Sequence, residues 1–171
     1  LARLITEEMG NVLVEARGDV QEAIDVFEYM AGEGRRLFGH TTKSELSNKF
    51  AMTVRNPVGV VALITPWNFP IAILAWKTAP ALICGNTIVL KPSSDTPLCA
   101  VEFAKIIEKA GVPAGVFNLV TGNGEDVGDE LIKSKDVYGI SFTGSKITGE
   151  YILKNAGVKK IGLELGGKNV I

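Results

Sequence analysis

Residues 58–70 read VGVVALITPWNFP, and this stretch decides the fold. Across 58–64 the run is continuously apolar, the pattern of a strand covered on both faces. At Thr65 it breaks into a loop, and over residues 71–82 apolar positions return at helical spacing. Towards the carboxyl terminus, strand-like segments follow at 87–90, 116–120, 138–142 and 160–163, separated by helical patterns at 98–110, 125–132 and 147–155. Strand, helix, strand at this spacing predicts right-handed crossovers and an α/β fold built on a doubly wound parallel sheet. Towards the amino terminus, residues 18–39 place Val20, Ile24, Phe27, Met30 and Ala31 at a helical period between glycines, which predicts one long amphipathic helix. Residues 49–55, KFAMTVR, alternate Phe50, Met52 and Val54 against their neighbours, which predicts a half-buried strand outside the core sheet.

The chain has 171 residues, 46% hydrophobic and 22% charged, with a net charge of -1. Basic and acidic residues are interspersed, so no field favours nucleic acid or an acidic membrane surface, and a small ligand is expected instead. Cys84, Cys99 and His40 have no metal-ligand spacing, and two cysteines make no disulfide framework, so a reducing, cytoplasmic setting is expected with no metal. No apolar run has the length of a membrane span.

In a parallel sheet of this kind, ligands bind beyond the carboxyl ends of the strands. The segments there read TPWNFP at 65–70, KPSSDT at 91–96, TGNGE at 121–125, TGS at 143–145 and ELGGK at 164–168. One such loop alone is turn chemistry. Five on successive strand ends of one sheet describe a ligand site.

PWNFP at 66–70, PALICGNTIVLKPS at 80–93, GVPAGVFNLVTG at 111–122, FTGS at 142–145 and LELGGK at 163–168 resemble, in order and spacing, the motifs of the aldehyde dehydrogenase superfamily. The resemblance extends over essentially the whole chain. It implies a Rossmann-like variant of the doubly wound sheet and an oxidoreductase that converts an aldehyde to a carboxylic acid with NAD(P)+ through a cysteine thiohemiacetal and thioester. Asn68 matches the amide that donates to the oxyanion, a kind of contact worth about a hundredfold to a thousandfold in rate; otherwise it satisfies its own turn. Glu164 matches the general base, worth about a hundredfold to ten-thousandfold; the plain alternative is a surface or ion-paired glutamate. Lys77 matches a lysine on a proton path from that base, against the alternative of a solvated helix lysine.

For the cofactor, the resemblance implies Thr65, Pro66, Trp67 and Asn68 on the nicotinamide side, joined by Glu164, Leu165 and Gly166. It implies Lys91, Ser93 and Ser94 at the adenosine ribose, and Gly122 and Gly124 where the adenine lies close to the backbone. Gly144, Ser145 and Gly149, in G-S-K-I-T-G, set a helix amino terminus against the pyrophosphate, although this spacing is wider than the common dinucleotide fingerprint. Many NAD-preferring members carry a glutamate where Ser94 stands, and a serine removes its repulsion of a 2′-phosphate. Lys146 adds positive charge near the phosphates or points to solvent. NADP is therefore expected to bind at least as well as NAD.

The family's nucleophile is a cysteine in a G-Q-x-C context a few tens of residues beyond the base. The chain opens at Leu1 in what reads as mid-helix and reaches Ile171 without that cysteine, so a piece of a longer parent is expected, binding cofactor without oxidising aldehyde. Cys84 and Cys99 read as small buried hydrophobes. The expected divisions are amino-terminal helices over 1–38, an oligomerisation strand over 39–57, a coenzyme-binding domain over 58–166 and the start of a catalytic domain over 167–171. A homodimer or homotetramer is expected. Semialdehydes, sugar-like and simple aliphatic aldehydes all remain open as substrates, as does transfer to coenzyme A, and the competing reading is a non-catalytic cofactor-binding or interaction module.

Overall fold

The computed structural model describes residues 1–168. Helices α1 (Ala2–Met9) and α2 (Leu13–Glu33) come first, followed by a short 3-10 turn at Gly34–Arg36. Strands β1 (Thr41–Lys43) and β2 (Phe50–Met52) then pair antiparallel, Thr41 against Met52. The main body follows as β3 (Val60–Ile64), α3 (Ala72–Ile83), β4 (Thr87–Lys91), α4 (Pro97–Lys109) and β5 (Phe117–Leu119). A π-helical turn at Gly124–Gly128 leads into α5 (Asp129–Lys133), then β6 (Gly139–Gly144), α6 (Lys146–Asn155) and β7 (Lys160–Leu165). The five main strands lie in the order β5-β4-β3-β6-β7, all parallel, so β3 is central.

The continuous apolar run makes β3 the partition between two cores. Successive strand side chains point to opposite faces. Val61 and Leu63 join Ile88, Leu90, Leu74 and Phe103 on one side, while Ala62 and Ile64 join Ile140, Phe142, Ile132 and Ile152 on the other. Each fully buried leucine or isoleucine contributes about 1.5–3 kcal/mol. No helix among the described residues is long and apolar enough to cross a membrane.

Several boundaries differ from the sequence reading. The long helix runs from Leu13 to Glu33, so Gly18 lies inside it rather than at its start. An interior glycine costs about 1 kcal/mol relative to alanine, and packing of α2 on α3 overrides that. The strand expected over 49–55 is three residues long and turned the other way. Phe50 is 74% and Met52 61% exposed, because the hairpin stands off the sheet with no layer over it among the described residues. The helix expected over 125–132 divides into the π turn and α5. Of the segment 167–171, residues 169–171 lie outside the described residues.

Candidate functional site

Parallel pairing brings the carboxyl ends of all five strands to one edge of the sheet. Register also carries five motif residues, Lys91, Thr143, Gly144, Glu164 and Leu165, into the strands themselves. Lys91 pairs with Ile64 as the last residue of β4, and Glu164 pairs with Thr143, so β7 ends one residue beyond Glu164 rather than before it.

Four polar side chains meet at the β6 and β7 ends. Lys77 projects from α3 and is only 6% exposed, which removes the solvated-lysine reading. Its Nζ donates to Ser141 Oγ at 2.9 Å and lies 3.8 Å from Glu164 Oε2. The Thr143 hydroxyl donates to that same Oε2 at 2.8 Å. Burial pushes the Lys77 ammonium below the ordinary lysine value, and the Glu164 charge offsets part of the shift. Glu164 itself is exposed, so its carboxylate is tethered at one oxygen and open to solvent. The cluster sits at one end of a cavity of about 710 Å³ between α3 and the faces of β3, β6 and β7.

The turn after β3 keeps Trp67 and Asn68 exposed while Thr65 and Pro70 are buried. The Thr65 hydroxyl is fully buried and has no partner among the described residues. The β3-to-α3 turn is anchored from α2, where the Asp19 carboxylate accepts from the backbone amides of Ile71 at 3.2 Å and Ala72 at 2.9 Å.

At the other end of the edge, Lys91 is buried and its Nζ donates to the Pro92 carbonyl at 2.9 Å, with burial lowering its affinity for a proton. Ser93 bonds to Asp95 at 3.1 Å. Ser94 donates its hydroxyl to the Gly122 carbonyl at 3.0 Å, tying the loop after β4 to the loop after β5. Gly122 has a φ of 150°, and a Cβ there would fall 2.5 Å from the Val127 side chain, so only glycine permits this backbone path. Gly124 opens the π turn.

Ser145 caps α6, accepting from the Thr148 amide at 3.2 Å, and this places the helix amino terminus beside the end of β6. Gly149 is buried under Leu165. A Cβ on Gly149 would come within 2.6 Å of the Leu165 side chain, so this glycine sets how closely α6 lies on β7. Gly166 donates its amide to the Gly144 carbonyl at 3.3 Å. Between the π turn, α5 and α6 opens a second cleft of about 650 Å³, lined by Asn123, Glu125, Asp129, Ile147, Thr148 and Tyr151.

The two cysteines differ. Cys99 is buried as expected, and burial, then the hydrogen bond its thiol donates to the Glu8 carboxylate, pushes that thiol well above its ordinary value. Cys84 is exposed, contrary to the sequence reading, because α3 ends at Ile83 and Cys84 caps the helix facing the larger cavity. Ser141, Asp129, Ile147 and Tyr151 were not anticipated. The signal was present for two of them: Ser141 shares a strand face with Thr143 two residues on, and Tyr151 follows Ile147 by one helical turn.

An open parallel sheet with glycine-lined loops and a helix amino terminus at its carboxyl edge defines a nucleotide-cofactor type of α/β protein. The sequence matches the aldehyde dehydrogenase family over residues 1–171, and the chain belongs to that family. It is 48% identical over 171 residues to betaine aldehyde dehydrogenase of Bacillus subtilis, covering 99% of this chain and 35% of that one. It is 46% identical to the NADP(+)-type succinate-semialdehyde dehydrogenase of Escherichia coli, covering 98% and 35%. The crystal structure of betaine aldehyde dehydrogenase from Staphylococcus aureus in complex with NAD+ superimposes with a TM-score of 0.96 at 43% identity, over 98% of this chain and 34% of that one. An E. coli NADP-dependent enzyme gives 0.95 at 45% identity, over 97% and 35%. The chain thus spans about a third of the length of the relatives it matches.

Proposed function

We propose that the chain forms the cofactor-binding part, with the general base, of an NAD(P)-dependent aldehyde dehydrogenase that oxidises an aldehyde to its carboxylic acid. The observation that carries this reading is the Glu164 carboxylate, held by Thr143 and 3.8 Å from a buried Lys77, at the carboxyl edge of the sheet. A base needs one oxygen fixed and one free to take a proton, and this tether leaves Oε1 available. Lys77 and Ser141 behind it give a proton a route away from the edge. Asn68, exposed on the β3 turn, would donate its amide to negative charge developing on the substrate oxygen.

The residues present fit a dinucleotide. The orphaned Thr65 hydroxyl lies at the β3 end, where a bound group would give it a partner. The α6 amino terminus, capped by Ser145, presents amides suited to a pyrophosphate. Thr65, Pro66, Trp67, Leu165 and Gly166 would hold the nicotinamide end, and Lys91, Ser93, Ser94, Gly122 and Gly124 the adenosine end, with Gly144 and Gly149 setting the approach between them. The cofactor would supply the hydride acceptor. NADP at least as well as NAD remains the reading, supported by the absence of a carboxylate at Ser94 and by Lys91. Asp95, paired with Ser93, is a nearby charge that opposes it.

The substrates named for the relatives, betaine aldehyde and several semialdehydes, favour a small aldehyde carrying a second polar group. A homodimer or homotetramer through β1 and β2 is supported by the exposed Phe50 and Met52. A cytoplasmic setting is supported by the two free cysteines. Neither thiol suits the nucleophile's task, Cys99 being buried and held protonated and Cys84 having no side-chain hydrogen bond to a base among the described residues. Titration of the 171-residue chain with NAD+ and NADP+ tests the reading. Binding of both without aldehyde turnover is expected, with NADP+ no weaker. Turnover by the chain alone, or binding of neither, would overturn it.

A further inference from the structure

The cleft between α5 and α6 contains a contact that the reading above leaves unused. Tyr151 on α6 donates its hydroxyl to Asp129 Oδ1 at the start of α5, 2.5 Å away, and Lys133 donates to Oδ2 at 2.6 Å. The pair spans the cleft, since both residues line it. Lys133 first, and Tyr151 second, hold the Asp129 carboxyl below the ordinary carboxylate range, so at neutral pH it is an acceptor and never a donor. Each carboxylate oxygen accepts more than one hydrogen bond, and both therefore keep capacity after these two contacts.

Around Asp129, Ile147 and the Tyr151 ring present exposed apolar surface, with Ile132 beneath. Flat apolar surface beside a fixed acceptor suits a planar heterocycle that carries an amino group at its edge. A ring with a carbonyl in the same place would set one acceptor against another, and binding would suffer. Asn123 and Glu125 complete the polar rim. The anionic side chains disfavour phosphate inside the cleft, whereas the α6 amino terminus next to it favours an anion. A nucleotide is thereby oriented with base inward and phosphates towards Ser145.

We propose that Asp129, aimed by Tyr151, reads the 6-amino group of the cofactor's adenine and is a specificity-determining residue for the base. This rests on the cofactor reading above. Calorimetric titration of the 171-residue chain with NAD+ and with nicotinamide hypoxanthine dinucleotide, in which a carbonyl replaces the amino group, tests it. The unmodified chain is expected to bind NAD+ at least about tenfold more tightly. In Asp129→Asn the side-chain amide turns to offer either a donor or an acceptor, and the preference should fall to within about threefold. Tyr151→Phe keeps the ring but loses the aiming hydroxyl, and it too should narrow the preference, with circular dichroism verifying that both variants are folded. Equal affinity of the unmodified chain for the two dinucleotides, or an undiminished preference in both variants, would overturn the proposal while leaving the cofactor reading intact. Binding of neither dinucleotide would overturn both together.

Discussion

Lys77 places an ammonium 6% exposed inside the fold with one hydroxyl and one exposed carboxylate for company. Burying a charge disfavours it, and a single partner at 3.8 Å in contact with water returns only part of the cost. The direction of the Lys77 shift says the same: folding makes the ammonium less favourable than it is in the unfolded chain. Above the ordinary value of 10.5 the lysine is neutral whether folded or not, and its contribution to stability is intact; that contribution is lost as the pH falls through the lowered native value. Lys77→Met, apolar and similar in length, should therefore gain stability relative to the unmodified chain as the pH falls from above 10.5 to neutral. Urea unfolding at several pH values measures this, and a stability difference independent of pH would contradict it. A residue that costs stability is retained for its chemistry, as its place behind Glu164 suggests. At this scale the sequence located Asn68, Lys91 and Glu164 at strand ends. It left Lys77 undecided because its burial depends on β6, and Ser141, which anchors it, lies 64 residues away.

Two helices of the main body begin on carboxylates from the amino-terminal pair. Asp19 of α2 accepts from the first amides of α3, and Glu8 of α1 accepts from Leu98 at 2.6 Å and Cys99 at 2.9 Å at the start of α4. Helix amino termini leave backbone donors unsatisfied and carry partial positive charge, and both carboxylates answer those needs. Neither cap is local, so no reading of the residues preceding each helix finds it: Asp19 reaches across 52 and 53 positions and Glu8 across 90 and 91. The periodicities that identified the helices were local, and they survived. Asp19 is 3% exposed, so Asp19→Ala would strand two donors away from water, at about 1–3 kcal/mol for each group left unsatisfied. Since α3 carries Lys77, the loss should appear both as a lower urea midpoint and as faster amide exchange in the first turn of α3. An unchanged midpoint would mean that water reaches these amides and that the cap is dispensable.

Over the whole molecule, the parallel sheet was legible because strand and helix patterns alternate along the chain and β3 is apolar enough to be covered on both faces, and the two cores on either side of β3 follow from its alternating side chains. The hairpin was not. Alternation in KFAMTVR identifies a face that is apolar but not what covers it, and Phe50, Met52 and Val54 all lie exposed with Leu46 and Phe38 nearby in sequence. A two-stranded ribbon has little stability on its own, and no further strand pairs with either of its edges among the described residues. Such a surface is stabilised by joining another, which is why β1 and β2 are the proposed contact between copies. Lysine at the outward positions opposes that contact through like charge without touching either core. The double variant Phe50→Lys, Met52→Lys should therefore shift the chain from dimer or higher species towards monomer in sedimentation velocity, with its unfolding midpoint little changed. Retention of the same assembly would exclude the hairpin as the contact and turn attention to the exposed apolar residues of α6, Ile147 and Leu153, instead.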